Sequence, residues 1–426
     1  MKLKRAPIAI LVSLAAVSAR ADWRATGRFQ YTDRTYNLSG FTGTVVLPIR
    51  EADFQVYDID TLSVLGQGAT NADGEFDIQI VDASTRNVGV RVLASTTQTP
   101  ILNMRVVDDQ SGSAVFAFAS ASPAMSHDPA VDHDFGDIAA PAAIGPVGST
   151  DWSSQVFNAF DMMILVADWI AALEGARPPA SLTIGWNPTQ GRGGSFYNGG
   201  SNRLSLADDD GYDDPNIVHE IGHWVEDEYG RSRNTGGTHF LNDDDQDPRL
   251  SFSEGFATYV SNATLRFHGL DRPDIYSDRD SFGVSGGGGF AYQVESAFTG
   301  GATNEQAVTA ALYDLIDDAA TLDGSPGVDD DPLSGLDASV WAVLREMRAR
   351  NLPATQLEDF WDIWFDLGLG NQSAMESVFA AHSIDFFPDP FEPNDAVESA
   401  ATLAVGAAYV ENTFYRPGAV AAGDED

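Results

Sequence analysis

The sequence predicts a multidomain chain, an N-terminal all-β sandwich followed by an α+β, mainly helical domain with an edge strand beside its site. Three observations predict it. Apolar residues alternate in short runs separated by turn signals across residues 22–138, as in half-buried strands. Apolar residues recur at helical spacing across most of residues 151–388. Between the two lies a small-residue, Pro/Gly stretch, residues 139–150 (AAPAAIGPVGST), which reads as a linker. With 426 residues, two or three domains are expected, and 43% hydrophobic and 10% aromatic residues suffice for packed cores.

The first 21 residues stand apart. Lys2, Lys4 and Arg5 form a basic start, residues 6–19 an apolar run too short for a comfortable membrane span, and Ala19-Arg20-Ala21 a small-x-small cleavage pattern. We read a signal peptide, a mature chain from Asp22, and a secreted or periplasmic bacterial protein. No further run of 18 apolar residues is seen, so no membrane span is expected in the mature chain. The formal net charge is −39, and beyond the leader 20 arginines face 63 acids with no lysine. Such a surface repels phosphate backbones, so nucleic acid is not an expected partner. The absence of cysteine excludes disulfide frameworks, thiol catalysis and cysteine-ligated zinc. The acid excess suits a solvated surface in high salt, calcium sites, or both.

Within residues 22–138, strands are expected around Phe54-Gln-Val-Tyr-Asp, Phe76-Asp-Ile-Gln-Ile and Val88-Gly-Val-Arg-Val-Leu, with turns at Asn71-Ala-Asp-Gly74 and Asp108-Asp-Gln-Ser-Gly. The run from Pro48 through Phe54-Gln-Val-Tyr to Gly66-Gln-Gly and Asn71-Ala-Asp-Gly-Glu-Phe76 resembles carboxypeptidase regulatory-like, transthyretin-type sandwiches over about 50 residues. His127 and His133, in an Asp-rich exit segment, read as solvated. After the linker, Asp151 is placed to cap a helix to about residue 174 with an apolar stripe at Val156, Phe160, Met163 and Val166. Residues 181–206 read as strands, with helices beyond them near 214–230, 251–268, 303–320, 337–351, 355–367 and 372–382.

The chemistry-bearing segment is His219-Glu220-Ile221-Gly222-His223. On a helix, positions i and i+4 share a face, so both imidazoles can reach one metal, and Glu220 can reach a water held there. Zinc is the usual metal of this spacing, and a catalytic site takes a third protein ligand. Asp213 or Asp214 is placed to cap the helix, with Pro215 in its first turn. Glu254, in Ser251-Phe-Ser-Glu-Gly-Phe-Ala-Thr-Tyr259, is the favoured third ligand. The alternative is structural: Ser251 and Glu254 fit a capping box, which would spend the carboxylate on backbone amides. Glu226 and Asp227, one turn past His223, are weaker candidates.

Three segments resemble the gluzincin metallopeptidases, thermolysin-like and fungalysin-like enzymes above all: Ser195-Phe-Tyr-Asn-Gly-Gly200 with Leu204-Ser-Leu and Asp208-Asp-Asp-Gly211, then His219–His223, then Ser253-Glu-Gly-Phe-Ala257. Asn304-Glu-Gln-Ala-Val is similar to a later fungalysin helix. The resemblance implies a zincin-type metallopeptidase domain over residues 151–388. It implies one zinc on His219, His223 and Glu254, with Glu220 as general base. It also implies an edge strand at Ser195, Phe196, Tyr197 and Asn198 that holds an extended peptide. Two departures stand out. Thermolysin-like enzymes carry an aspartate four residues after the glutamate ligand, where this chain has Thr258, so a carboxylate orienting a zinc histidine is expected elsewhere. The Gly-x-Met-Glu-Asn motif of gluzincin aminopeptidases is missing. Residues 389–426, opening with Asp389-Pro-Phe-Glu-Pro-Asn-Asp395, resemble the start of a pre-peptidase C-terminal domain, the alternative being an acidic tail.

The leading expectation is a secreted zinc-dependent endopeptidase, monomeric, acting on protein or peptide substrates. His239, Tyr197, Tyr212, Tyr292 and Tyr313 are candidate donors to the developing oxyanion. The alternative is an inert metallopeptidase-like protein that binds or adheres through its β-modules. Calcium is a further candidate ligand at Asp208–Asp210, Asn242–Asp247 and Asp329–Asp331.

Overall fold

The computed structural model describes residues 22–97, 102–110, 114–120, 125–142, 152–270, 272–279, 289–294, 298–317 and 332–386. The leader, Asp151, most of the linker, Asp329–Asp331 and the tail from residue 387 lie outside them.

The N-terminal part is β-rich. Its strands are β1 (Asp22–Asn37), β2 (Gly40–Pro48), β3 (Asp53–Asp58), β4 (Val64–Ala69), β5 (Glu75–Val81), β6 (Arg86–Leu93), β7 (Met104–Asp108), β8 (Ala114–Val115), β9 (Ala117–Ala119), β10 (Met125–His127) and β11 (His133–Ala139). One sheet runs β11-β1-β2 with β5 also on β1; the other runs β10-β6-β3-β4 with β9 on β6. The period-2 pattern places Trp23, Ala25, Phe29 and Tyr31 of β1, and Val88, Val90 and Val92 of β6, in the core. His127 departs from the expectation of a solvated residue. It is buried, its ring centroid 3.9 Å from that of Trp23, and half-buried His133 stands edge-on to Phe135.

Two N-terminal strands leave this arrangement. β7 pairs in parallel with β12 (Leu182–Trp186), from Met104↔Leu182 to Asp108↔Trp186. With β13 (Phe196–Asn198) and β14 (Arg203–Ser205), these form a mixed sheet of order β13-β14-β12-β7-β8. Its five strands straddle the linker, which local patterning alone did not reveal. Among the described residues β13 pairs only with β14, at one edge of this sheet.

Behind the sheet lies α1 (Ser153–Glu174). The four stripe residues are buried, yet so is almost every other position from Ser154 to Ile170. A helix buried on all sides is a core helix. By length and composition alone α1 could cross a membrane, as core helices also can, and most of it is buried inside the protein. Its polar residues are spent on fixing neighbours: Asp161 accepts from Tyr31 Oη at 3.0 Å and from Arg50 at 2.5 Å, tying α1 to the β-rich part.

The site helices come next: α2 (Asp214–Val225), a π-helical turn over Glu226–Gly230, and α3 (Pro248–Phe267). Glycine sets how near the helices come. A Cβ on Gly222 would lie 2.7 Å from Ala257 Cα, and one on Gly255 would lie 2.6 Å from Val308 Cγ1 of α4 (Glu305–Tyr313). A side chain at either position would wedge the helices apart. The hairpin β15 (Ile275–Arg279) and β16 (Gly289–Gln293) covers the open side of α2. Helices α5 (Asp337–Arg350), α6 (Leu357–Asp366) and α7 (Gln372–Ala381) close the core, within a few residues of the expected spans.

Candidate metal centre

His219 and His223 lie one turn apart on α2 and present their Nε2 atoms to one carboxylate oxygen. Glu254 Oε2 stands 3.3 Å from His219 Nε2 and 3.2 Å from His223 Nε2. The ligand atoms of these three residues all lie within 4.8 Å of one another, and no other such group of three occurs among the described residues. His219 and Glu254 are buried and His223 is half-buried. Burial disfavours charge on both His223 and Glu254, and their mutual attraction outweighs it. The imidazole is pushed up to about 9 and the carboxyl is held well below its usual range.

Glu254 is not at a helix start. The helix begins at Pro248, and Asp247 caps it by accepting from Arg249 N at 2.9 Å. Ser251 Oγ donates to the Pro248 and Ala302 carbonyls, so the alternative, a Ser251–Glu254 capping box, does not form. Asn234 Nδ2 donates to Glu254 Oε1 at 2.9 Å, which leaves Oε2 to face the imidazoles. The weaker ligand candidates are engaged elsewhere: Glu226 accepts from Ser253 Oγ at 2.6 Å, and Asp227 from Tyr197 Oη at 3.2 Å. At the head of α2, Asp213 occupies the cap position without capping; its carboxylate accepts from Ser277 and Arg279 N of β15.

The expectation of an orienting carboxylate elsewhere is corrected for His219. Its Nδ1 lies 2.9 Å from Thr258 Oγ1, so the threonine hydroxyl holds this ring from the very position where the aspartate was missing. His223 Nδ1 faces Ser253 Oγ at 3.4 Å, and that hydroxyl donates to the buried Glu226 carboxylate. Burial raises Glu226 to about 7, with the Ser253 hydrogen bond and His223 pulling the other way. Ser253 and Thr258 flank Glu254 at −1 and +4 on α3. Helical spacing from the glutamate would have found both, whereas Asn234, in the loop after the π-helical turn, has no local signal.

Glu220 is buried, and its Oε2 has no hydrogen-bond partner. Burial pushes its carboxyl up, with His223 and His219 pulling it down. Two grooves meet at this residue. One, about 480 Å³, runs past His219, Tyr276 and Asp278; the other, about 650 Å³, runs past His223, Tyr197 and Gly236. Ser195, Glu220, His239 and Glu254 line both. β13 borders the second groove through Phe196 and Tyr197, while Asn198 lies at the same edge outside that lining.

The candidate oxyanion donors separate by position. His239 Nε2 lies 3.8 Å from Glu254 Oε2, and its Nδ1 is 2.8 Å from Glu305 Oε2, a bond that raises its pKa. Tyr197 borders one groove with its hydroxyl on Asn202 and Asp227. Tyr212 and Tyr313 are fully buried and line neither groove; Tyr292 packs between Tyr276 and Phe298 and lines neither. Tyr276, whose ring centroid is 5.4 Å from that of His219, was missed because the hairpin brings it there from 57 residues away. In the acid-rich loops, Asp208 accepts from Gly191 and Arg192 amides, Asp210 from Asn216, and Asp244 from Asn304.

His219, His223 and Glu254, with the unpartnered Glu220 carboxylate beside them at the junction of two grooves, form a group that could hold a metal ion. Residues 171–359 match the family described as the Mycolysin C-terminal domain, a stretch from the end of α1 into α6 that contains the whole centre. The match links this part of the chain to the thermolysin-like peptidases. No curated protein matches the chain. Among solved structures, a 9R-lipoxygenase from Cyanothece is similar at 16% identity over 41% of this chain and 27% of its own, with a TM-score of 0.19. An (S)-allantoin synthase is similar at 8% identity over 28% of this chain and 42% of its own, with a TM-score of 0.16. At those TM-scores the two structures carry no argument about fold or activity.

Proposed function

We infer that the chain is an exported zinc-dependent endopeptidase, with residues 1–21 as its signal peptide. The observation that carries this reading is the convergence of His219, His223 and Glu254 beside the unpartnered Glu220 Oε2. Two neutral imidazoles and a carboxylate suit a catalytic zinc, which takes three protein ligands and leaves one position open. Held by His219, His223 and Glu254, zinc would supply Lewis acidity towards a water and the scissile carbonyl.

The chain's own residues do the rest. Glu220 takes the proton from the attacking water and passes it to the leaving amine; its orphan oxygen and raised pKa suit a base that must also release the proton. His239, held by Glu305, donates from Nε2 to the carbonyl oxygen as charge builds there. Among the described residues β13 offers an unpaired edge for an extended peptide, beside the His223 groove. Thr258 and the Ser253–Glu226 pair hold the two imidazoles in the tautomer that turns Nε2 to the metal.

The test is casein hydrolysis by the purified chain. Hydrolysis that a chelator abolishes and zinc restores is the expected result. A folded, zinc-loaded sample without hydrolysis would instead favour a binding protein acting through its β-modules.

The metal also competes with a proton. With His223 raised to about 9, zinc has to displace that proton at neutral pH. Apparent zinc affinity should therefore climb about tenfold per pH unit from pH 7 to 9 and then level off. Competition against a chelator of known proton linkage reads this directly, and a flat profile would contradict the assignment of His223 as a ligand.

A further inference from the structure

The hairpin over the site carries a charge that neither the metal centre nor the proposed chemistry uses. Alternation along β15 puts Tyr276 and Asp278 on one face, and Ser277, on the other, bonds to Asp213. Across the pair, Phe290 opposes Asp278 and Tyr292 opposes Tyr276. The Tyr276 ring lies between His219, 5.4 Å away by centroids, and Phe290, 6.0 Å away. Tyr276, Asp278 and Phe290 thus form one wall of the His219 groove, a step from Glu220. Asp278 is half-buried and takes part in none of the ion pairs or side-chain hydrogen bonds between described residues. Burial raises its pKa, Asp209 adds to the rise, and His219 pulls it down.

We propose that this wall is a specificity pocket for a basic side chain, arginine or lysine, of the residue flanking the scissile bond, with Asp278 as the counter-charge. This rests on the peptidase reading above and deepens it. A carboxylate taken out of water without a partner costs stability, and an incoming cation regains that cost only in the complex. The rings of Tyr276 and Phe290 offer faces to a guanidinium and to the methylene stem below it. A groove of about 480 Å³ has room for one long side chain. Beyond its leader the chain has no lysine and 20 arginines against 63 acids, so the surrounding field also draws cationic peptides towards the cleft.

The experiment uses the zinc-loaded full chain and quenched-fluorescence peptides identical except at one position, which carries arginine, lysine, citrulline, norleucine or glutamate. Cleavage sites are read by mass spectrometry. The expected result is cleavage beside the basic residue, with kcat/KM for arginine at least about tenfold above citrulline, its neutral near-isostere. In Asp278→Asn the arginine-to-citrulline ratio should collapse towards one, and in Asp278→Glu most of it should remain. Zinc content and melting temperature of each variant confirm that the site is intact. The same ratio measured as peptide Kd on the Glu220→Gln variant gives a readout without turnover. A ratio near one in the parent, or one that Asp278→Asn leaves unchanged, overturns the pocket while leaving the peptidase reading in place. Absence of hydrolysis of every peptide and of casein overturns both.

Discussion

Glu220→Gln should fold, retain one zinc and lose peptidase activity by about 10²–10⁴-fold, the range for removal of a general base. The substitution keeps the side chain's shape but puts an amide where a proton acceptor stood. Metal retention is expected because the three converging ligand atoms belong to His219, His223 and Glu254, and Glu220 is not among them. Its Oε2 is buried without a partner, a costly arrangement in a purely structural helix. The melting temperature of the variant should therefore stay equal to that of the parent or rise. Steady-state hydrolysis of a quenched-fluorescence peptide, with zinc quantified in the same sample, checks both halves. Turnover near that of the parent would remove Glu220 from the mechanism.

Glu254→Gln should have a comparably large effect through a different quantity. Facing two imidazoles at 3.3 and 3.2 Å, the Glu254 carboxylate would supply the charge that a dication needs. Loss of an outer hydrogen-bond partner of a ligand typically costs about 10–100-fold in metal affinity, and loss of the ligand charge should exceed that. The variant is expected to stay folded, to lose zinc on dialysis against a mild chelator, and to recover partial activity only in excess zinc. A role as a helix cap would predict instead a stability loss of roughly 0.5–2 kcal/mol with zinc retained. Since Asp247 caps α3 and Glu254 lies well inside the helix, the metal outcome is the one expected. Zinc binding as tight as the parent's would end the assignment.

Much of this site was legible in the chain because its parts are local. The i, i+4 histidines and the intervening glutamate need only a helix, and Pro215 and the apolar residues Ile217, Val218 and Ile221 specify one. The strand at Phe196–Asn198 and the helices from α2 to α7 arise from patterns shorter than about 20 residues, within which period and turn chemistry speak for themselves. Composition likewise settled, without any fold, that no cysteine takes part in chemistry or cross-linking.

What the tertiary structure alone decided are the pairings between distant segments. β7 joins β12 across more than 70 residues, and no local period records which sheet a strand will join. Helix α1 reads as amphipathic along one stripe, yet it is buried on all sides because sheet, helices and β-rich part surround it. Whether Ser251 and Glu254 form a capping box depended on where α3 begins, and a start three residues earlier, at Pro248, takes the same Ser-x-x-Glu sequence out of the cap position. Glu226 acquires meaning only once α2 and α3 lie against each other at Gly222 and Ala257, and Asp278 only once the hairpin folds over His219. The physical reason is common to all of these. Helix and strand periods are set by the backbone over a few residues, whereas the partner of a buried polar group is set by whichever remote segment packing brings within hydrogen-bond reach.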